Sequence, residues 1–380
     1  MTSSDAKAAA RASVSRLPAS KQFIIVASRL WAWAFLGLMI VFFVVAVPAV
    51  GGATFFTVRN SQNILVAITP VLLLGLGQTL VIISAGIDLS VGWVMSLASV
   101  LSALAIRSAF NAGIPLFPSV VIGFLAAVAG AGLVGLINGT IIAKLKVPAF
   151  IVTLGSSFIV RGVALLMSEN TTVIGLPDGI RDYGNESLFY LVRGEGGGFY
   201  FFERPELSGE MLRQLDRILP YPVLVTAVVV AIAIFILRKT QFGRHTYAIG
   251  GNLQAALRTG IPVDSHIIKL YMLSSITAGI AGFLSTLRFT AGSAVIGDAL
   301  LLSSIAAVII GGVSLFGGAG TIMGTVIGSL IIAVLTTGLV MLNVQAFWQF
   351  IVVGVVVIVA VLIDQSRDLI VGRHGPGQGS

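Results

Sequence analysis

The chain has 380 residues, of which 57% are hydrophobic and only 10% charged, with a mean hydropathy of +1.03 and a net charge of +8. Soluble domains are nearer roughly 45–50% apolar and about 25% charged, so this composition excludes an ordinary water-soluble globular protein. Cysteine is absent, which excludes disulfides, thiolate metal sites and a cysteine nucleophile, and the basic excess follows a membrane topology instead of forming a nucleic-acid patch.

Charge is withheld from long stretches. Residues 30–58, 60–87, 89–106, 108–143, 218–237 and 270–287 carry none, and 299–363 form one uncharged run of 65. A hydrocarbon layer about 30 Å thick takes about 20 helical residues to cross. The pattern therefore predicts an all-α polytopic membrane protein with ten spans, at about 30–50, 63–83, 89–107, 117–137, 148–167, 219–237, 267–287, 298–316, 320–340 and 345–363. A basic tail (1–29) precedes a membrane body (30–365), and a short tail (366–380) follows it. The first span reads as an uncleaved anchor, because its apolar run from Trp31 to Val50 is too long for a signal peptide. With the N-terminus inside, the inner segments collect 14 basic residues, while the short outer loops hold only Arg59, Arg107 and Arg288. That bias predicts both termini on the cytoplasmic side.

In the second span, Gln78 and Thr79 interrupt an apolar run. Either they glue helices together or they offer hydrogen bonds to a passing solute. Asp88, with Ser90 beside it, lies where the second span turns into the third. Gly86 and Gly92 are expected to let the backbone turn tightly there, and Asp88 to cap the third helix near the inner face. The alternative is that a broken helix pair at this point shapes a solute pathway. The fourth span carries Gly123, Gly130, Gly132, Gly135 and Gly139, a stripe that lets a neighbouring helix approach closely. Phe150 and Thr153 open the fifth span and are candidates for the pathway wall, whereas Arg161 is expected to snorkel outward or meet Glu169.

Two polar segments stand out. The segment 168–218 holds nine of the fifteen acidic residues and five arginines. Its end, Glu210–Leu219, spaces Met211, Leu212, Leu215, Ile218 and Leu219 as an amphipathic surface helix would. The segment 238–266 predicts a short helix on the inner side. Asn252 is its N-cap, Leu253–Thr259 supply two turns, Gly260 suits the left-handed C′ position and Pro262 stops it. Leu253, Ala256 and Leu257 would face water there unless a partner covers them. Farther on, Gly311, Gly312, Gly317 and Gly318 mark a tight turn between spans.

Four strings in chain order resemble the permease subunits of bacterial ATP-binding-cassette importers of the ribose type, a sibling branch of the branched-chain amino-acid permeases. They are Gly77-Gln78-Thr79 with Ser84–Gly92, Asn138-Gly139-Thr140 with Val147–Gly155, the loop Gly243–Ile261, and Ile310–Gly320. The resemblance spans roughly residues 60–365. It implies a type II importer-like fold in the bacterial inner membrane and a pore formed with a second permease copy as a homodimer, or with a close relative as a heteromeric pair. It also implies cytoplasmic ATPase subunits that carry ATP and Mg, and an extracytoplasmic solute-binding protein that delivers a monosaccharide or polyol. Coupling to the ATPase would fall on Asn252, Leu253, Ala255, Ala256, Leu257, Arg258 and Gly260, and the pathway on Gln78, Thr79, Asp88, Ser90, Phe150 and Thr153. Leu253 and Gln254 stand where the family usually has Pro then Glu.

The residues themselves agree that the energy comes from elsewhere. No GxxxxGK[ST] loop is present, and none of the six lysines follows a glycine, so no cofactor is expected on this chain. No catalytic constellation and no metal-ligand spacing occurs in the spans. Two other readings are an ion-coupled secondary transporter, which needs intramembrane carboxylates beyond Asp88 and Asp298, and a permease of this kind for a non-sugar solute such as an amino acid.

Overall fold

The computed structural model describes residues 19–51, 54–193, 197–202, 204–205, 207, 214–345, 347–356 and 358–359. The proposed 366–380 tail and most of the 1–29 tail lie outside this set.

Among the described residues eight helices are long and apolar enough to cross a membrane, and each falls at an expected span. They are α1 (Ala19–Ala49, apolar from Trp31), α2 (Val58–Ile83), α3 (Val91–Asn111), α4 (Leu116–Leu145), α5 (Ala149–Met167), α7 (Tyr221–Lys239), α10 (Val263–Phe289) and α12 (Ile322–Met341). The other two expected positions hold shorter helices, α11 (Asp298–Ile310) and α13 (Phe347–Val356). With 13 residues, α11 rises only about 20 Å. The structure ends it at Gly311-Gly312, where Gly312 takes a left-handed φ of 80°, so the span expected to reach 316 stops six residues early. It packs against α2 and α12, and its last turn and a half, 306–310, is wholly buried. The chain is a multi-pass membrane protein.

Burial sorts the helices. Of the most apolar window of α2, 83% is buried, and from Val71 to Ile83 every residue is. A helix that is apolar all round belongs at the centre of a bundle. α3, α4, α10, α11 and α12 surround it or one another, whereas α5 and α7, each 22% buried, lie at the rim with most of their surface outward. The α4 glycines do what their spacing implies. Gly135 and Gly139, one turn apart, meet the Tyr271–Met272 backbone and Ile268 of α10, and Gly123 and Gly130 receive Ile106 and Leu101 of α3. Among the described residues Arg161 forms no ion pair with Glu169. Its guanidinium lies 4.6 Å from the Trp93 ring centroid of α3, where the ring face supplies the negative potential that apolar surroundings lack.

At one end of the bundle, helix α6 (Ile180–Asn185) and a three-stranded antiparallel sheet fill the long polar segment. The strands are β1 (Ser187–Val192), β2 (Phe199–Phe201) and β3 (Leu215–Pro220), in the order β2-β1-β3. The amphipathic helix expected over 210–219 is therefore corrected. Its described part is β3, and Glu210, Met211 and Leu212 lie outside the described residues. Pairing explains the difference: Leu215 sits opposite Val192 and packs with Tyr190, Asp216 bonds Arg193 at 2.6 Å, and Ile218 faces Phe189. Cross-strand partners outweigh a helical spacing that had none. A bridge between Val173 and Gly292, and Asn185 Nδ2 donating to Arg288 O (3.0 Å), fasten this cap to the end of α10. At the opposite end lie α8 (Gln241–Gly251) and α9 (Leu253–Arg258).

Candidate coupling junction and polar knot

The short helix α9 forms where its sequence predicts. Asn252 is extended (φ −160°, ψ 103°), its side chain accepts from Ala255 N (2.9 Å), and Gly260 closes the turn at φ 77°. One face is anchored: Ala256 is buried against Ile249 and Val263. Leu253 and Leu257 are 45% and 48% exposed, and Ala255, Arg258 and Gly260 are exposed as well. Thus two of the three apolar residues, not all three, stay about half exposed.

Helix α8, which precedes α9, is not foreseen in the sequence because Gly243, Gly250 and Gly251 are poor helix formers. Its signal is the spacing of Gly243, Thr246 and Ile249, which all face inward. The glycines are there for closeness. A Cβ on Gly250 would collide with the Ile83 carbonyl at the end of α2 and lie 2.7 Å from the Gly318 nitrogen. Gly318 N donates to Ile83 O (2.8 Å), Tyr247 donates to Gly320 O (2.7 Å), and a Cβ on Gly317 would lie 2.7 Å from that of Ala85. Burial pushes the Tyr247 phenol above its ordinary value, against the opposing charge of Arg238, which keeps it a neutral donor. Gly317 and Gly318 have φ of 83° and 71°, and Gly311 packs against the Gly324 backbone. So α8, the glycine turn 311–320 and the end of α2 meet backbone to backbone.

The α2–α3 turn just beyond holds a polar knot. Asp88 is fully buried. Its Oδ1 accepts from Ser90 N (3.0 Å) and Ser90 Oγ (2.6 Å), and its Oδ2 from Ser274 Oγ of α10 (2.9 Å). Asn138 Nδ2 of α4 donates to Ser90 Oγ (3.1 Å), and Gln78 Nε2 donates to the Asp88 carbonyl (2.5 Å). Thr153 Oγ1 bonds Ala149 O (2.9 Å) and reaches Ile87 O (3.5 Å), which Tyr271 also approaches. Ser274 stands eleven residues into α10 and Asn138 seven before the end of α4. At 1.5 Å per residue that places the knot about 16 Å and about 10 Å along those helices from their ends.

Several expectations are revised here. Asp88 does not cap α3: the helix starts at Val91, and the carboxylate closes a turn onto Ser90 two residues on. The left-handed residue is Ala85 (φ 63°), whereas Gly86 makes room for the Tyr271 hydroxyl and Gly92 lets the Gly297 backbone approach. Of the six pathway candidates, Gln78, Thr79, Asp88, Ser90 and Thr153 are wholly buried, and Phe150 is 53% exposed on the rim helix α5. Thr79 belongs to helix contact, bonding Gly75 O (2.7 Å) and Thr325 Oγ1 (2.5 Å). Ser274 and Tyr271 were missed, their only signal being isolated polar residues within an uncharged run, and Asn138 was marked only as part of the string Asn138-Gly139-Thr140. Among the described residues no group of three or more His, Cys, Asp or Glu gathers as a metal site.

The arrangement joins an exposed short helix, through rigid backbone contacts, to hydrogen bonds in the middle of the bundle. Comparisons with known proteins bear on what such a device serves. Residues 60–361 match the family described as branched-chain amino acid transport system / permease component. The chain is 34% identical over 347 residues to the xylose transport system permease protein of Haemophilus influenzae, covering 82% of this chain and 90% of that one. It is likewise 34% identical to the fructose import permease protein of Rhizobium meliloti (86% and 84% covered) and to the ribose import permease protein of Bacillus subtilis (88% and 92%). No solved structure matches it.

Proposed function

The chain belongs to the family of branched-chain amino acid transport system permease components, and from that premise we propose that it is the membrane subunit of an ATP-driven importer for a monosaccharide or related polyol. The observation that carries the sugar is the similarity, over more than four fifths of the chain, to permeases named for xylose, fructose and ribose. An amino-acid cargo, which the family description alone would allow, has no such relative among these.

In this reading the chain lies in the bacterial inner membrane with α8 and α9 on the cytoplasmic side, the orientation that its 14 inner basic residues favour. ATP and Mg are held by separate ATPase subunits. Leu253 and Leu257 of α9 dock on them, with Asn252 and Gly260 holding the helix ends, Ala256 its anchor, and Ala255 and Arg258 beside the contact. Two copies of the chain enclose the path, and an extracytoplasmic binding protein delivers the cargo to the sheet-bearing end. Movement of α9 passes through α8 to Ile83 and so to the turn at Asp88. The pathway runs by Gln78, Thr79, Asp88, Ser90, Phe150 and Thr153 when that turn opens. The site should hold cargo weakly, since tight binding would slow release.

Uptake of labelled sugar into vesicles tests this. The expected result is uptake that requires ATP, an ATPase partner and a binding protein, and that survives collapse of ion gradients. Uptake by this chain alone, driven by a proton or sodium gradient, would refute it.

A further inference from the structure

Resting on that importer reading, we propose that the knot at Asp88 is a hydroxyl-exchange gate: the cargo passes by giving its own hydroxyl groups to Asp88 and Gln78 as Ser274 and Ser90 let go. Asp88 is a fully buried carboxylate whose donors are one backbone N–H and two side-chain hydroxyls, and none of the described ion pairs includes it. A buried charge is tolerated only while donors satisfy it. Drawing α10 away from the turn strips Oδ2 of Ser274 and leaves half the carboxylate bare. A neutral polyol replaces like with like, since each of its hydroxyls is a donor of the kind withdrawn. A solute without hydrogen-bond donors cannot, and a cation would be held too firmly to leave.

Two further features fit a gate. Gln78 is wholly buried beside Asp88, yet its Oε1 has no hydrogen-bond partner, an acceptor free for a second cargo hydroxyl. Beside Ser274 the surfaces that must part are smooth: Gly77 lies against the Ser274 backbone, where a Cβ would come within 2.6 Å of Cα, and the Tyr271 hydroxyl must leave Ile87 O as α10 withdraws. Asn138 holds Ser90 from the α4 side and returns the turn to its place after passage.

The chain has no cysteine, so Ser274→Cys introduces its only thiol. In proteoliposomes with the partner ATPase and binding protein, and with D-ribose, D-xylose and D-fructose as probes, a water-borne methanethiosulfonate should modify that thiol only during turnover. The probe sugar that is imported should slow the modification. Asp88→Asn should cut uptake about tenfold or more while nucleotide hydrolysis by the complex continues, because the donors then meet no charge. A thiol that stays unreactive while sugar accumulates, or uptake by Asp88→Asn within about twofold of the unsubstituted chain, overturns the gate alone. If Asp88→Asn does not fold, the thiol experiment decides by itself. If the unsubstituted chain shows no nucleotide-dependent uptake, the importer reading falls and the gate with it.

Discussion

Two adjacent glycines in α8 offer a matched pair of substitutions, Gly250→Ala and Gly251→Ala. The added methyl on Gly250 would collide with the Ile83 carbonyl and lie 2.7 Å from Gly318 N, against a comfortable separation of about 3.5 Å. Both neighbours are backbone, so neither can swing aside. The helix must therefore retreat by about 0.8 Å from the Gly318 contact alone. That retreat strains the Gly318 N to Ile83 O bond (2.8 Å) and the Tyr247 bond to Gly320 O (2.7 Å). Overpacking costs about 1–3 kcal/mol and each weakened bond about 1 kcal/mol, so a loss near 3 kcal/mol is expected. A Cβ on Gly251 meets nothing within 4 Å, and alanine there gains up to about 1 kcal/mol of helix propensity. Thermal unfolding of the purified complex in lipid nanodiscs, with sugar uptake measured alongside, separates the two. Gly250→Ala should lower the midpoint and uncouple ATP hydrolysis from uptake, and Gly251→Ala should do neither. Equal behaviour of the two variants would refute the backbone junction.

Other substitutions probe the remaining contacts. Asn252→Ala removes the cap on Ala255 N and should destabilise α9 by about 1 kcal/mol, seen as faster hydrogen exchange across 253–259 and reduced stimulation of the ATPase. Gly135→Leu places a side chain against the Tyr271–Met272 backbone, 2.8 Å from Met272 Cα, and should cost about 3 kcal/mol or abolish assembly of the bundle, read from yield and unfolding midpoint. Arg161→Gln gives up the contact with Trp93 and should cost about 1 kcal/mol in the same assay with uptake intact, since this side chain touches no part of the knot.

The span positions were legible because lipid imposes one rule on every crossing helix, and the uncharged runs follow it. The glycine stripe of α4 could be read as packing, and α9 could be read residue by residue from Asn252 to Pro262, since caps are local chemistry. What escaped depends on partners distant in sequence. Leu215 and Ile218 suit a helix face as well as a strand, and only β1 decides between them. The glycines of α8 argue against a helix until Ile83 and Gly318 are known to press on them. Asp88 is conspicuous in the sequence, but its partner Ser274, and Asn138, which holds Ser90, are single polar residues whose register with the turn is set by how α4 and α10 stack. The length of α11 was overestimated for a related reason: absence of charge does not by itself mark a helix, and the loop after Gly311 carries no charge without being helical.

The central claim is that a nucleotide-driven partner pushes on α9. Single cysteines replacing Leu253 or Leu257, each the only thiol in this chain, can be crosslinked in membranes containing the complete transporter. The account predicts an adduct with the ATPase subunit that changes in yield between nucleotide-free and ATP-bound states and, once formed, stops sugar uptake. Crosslinks that reach only lipid while sugar continues to accumulate would contradict it.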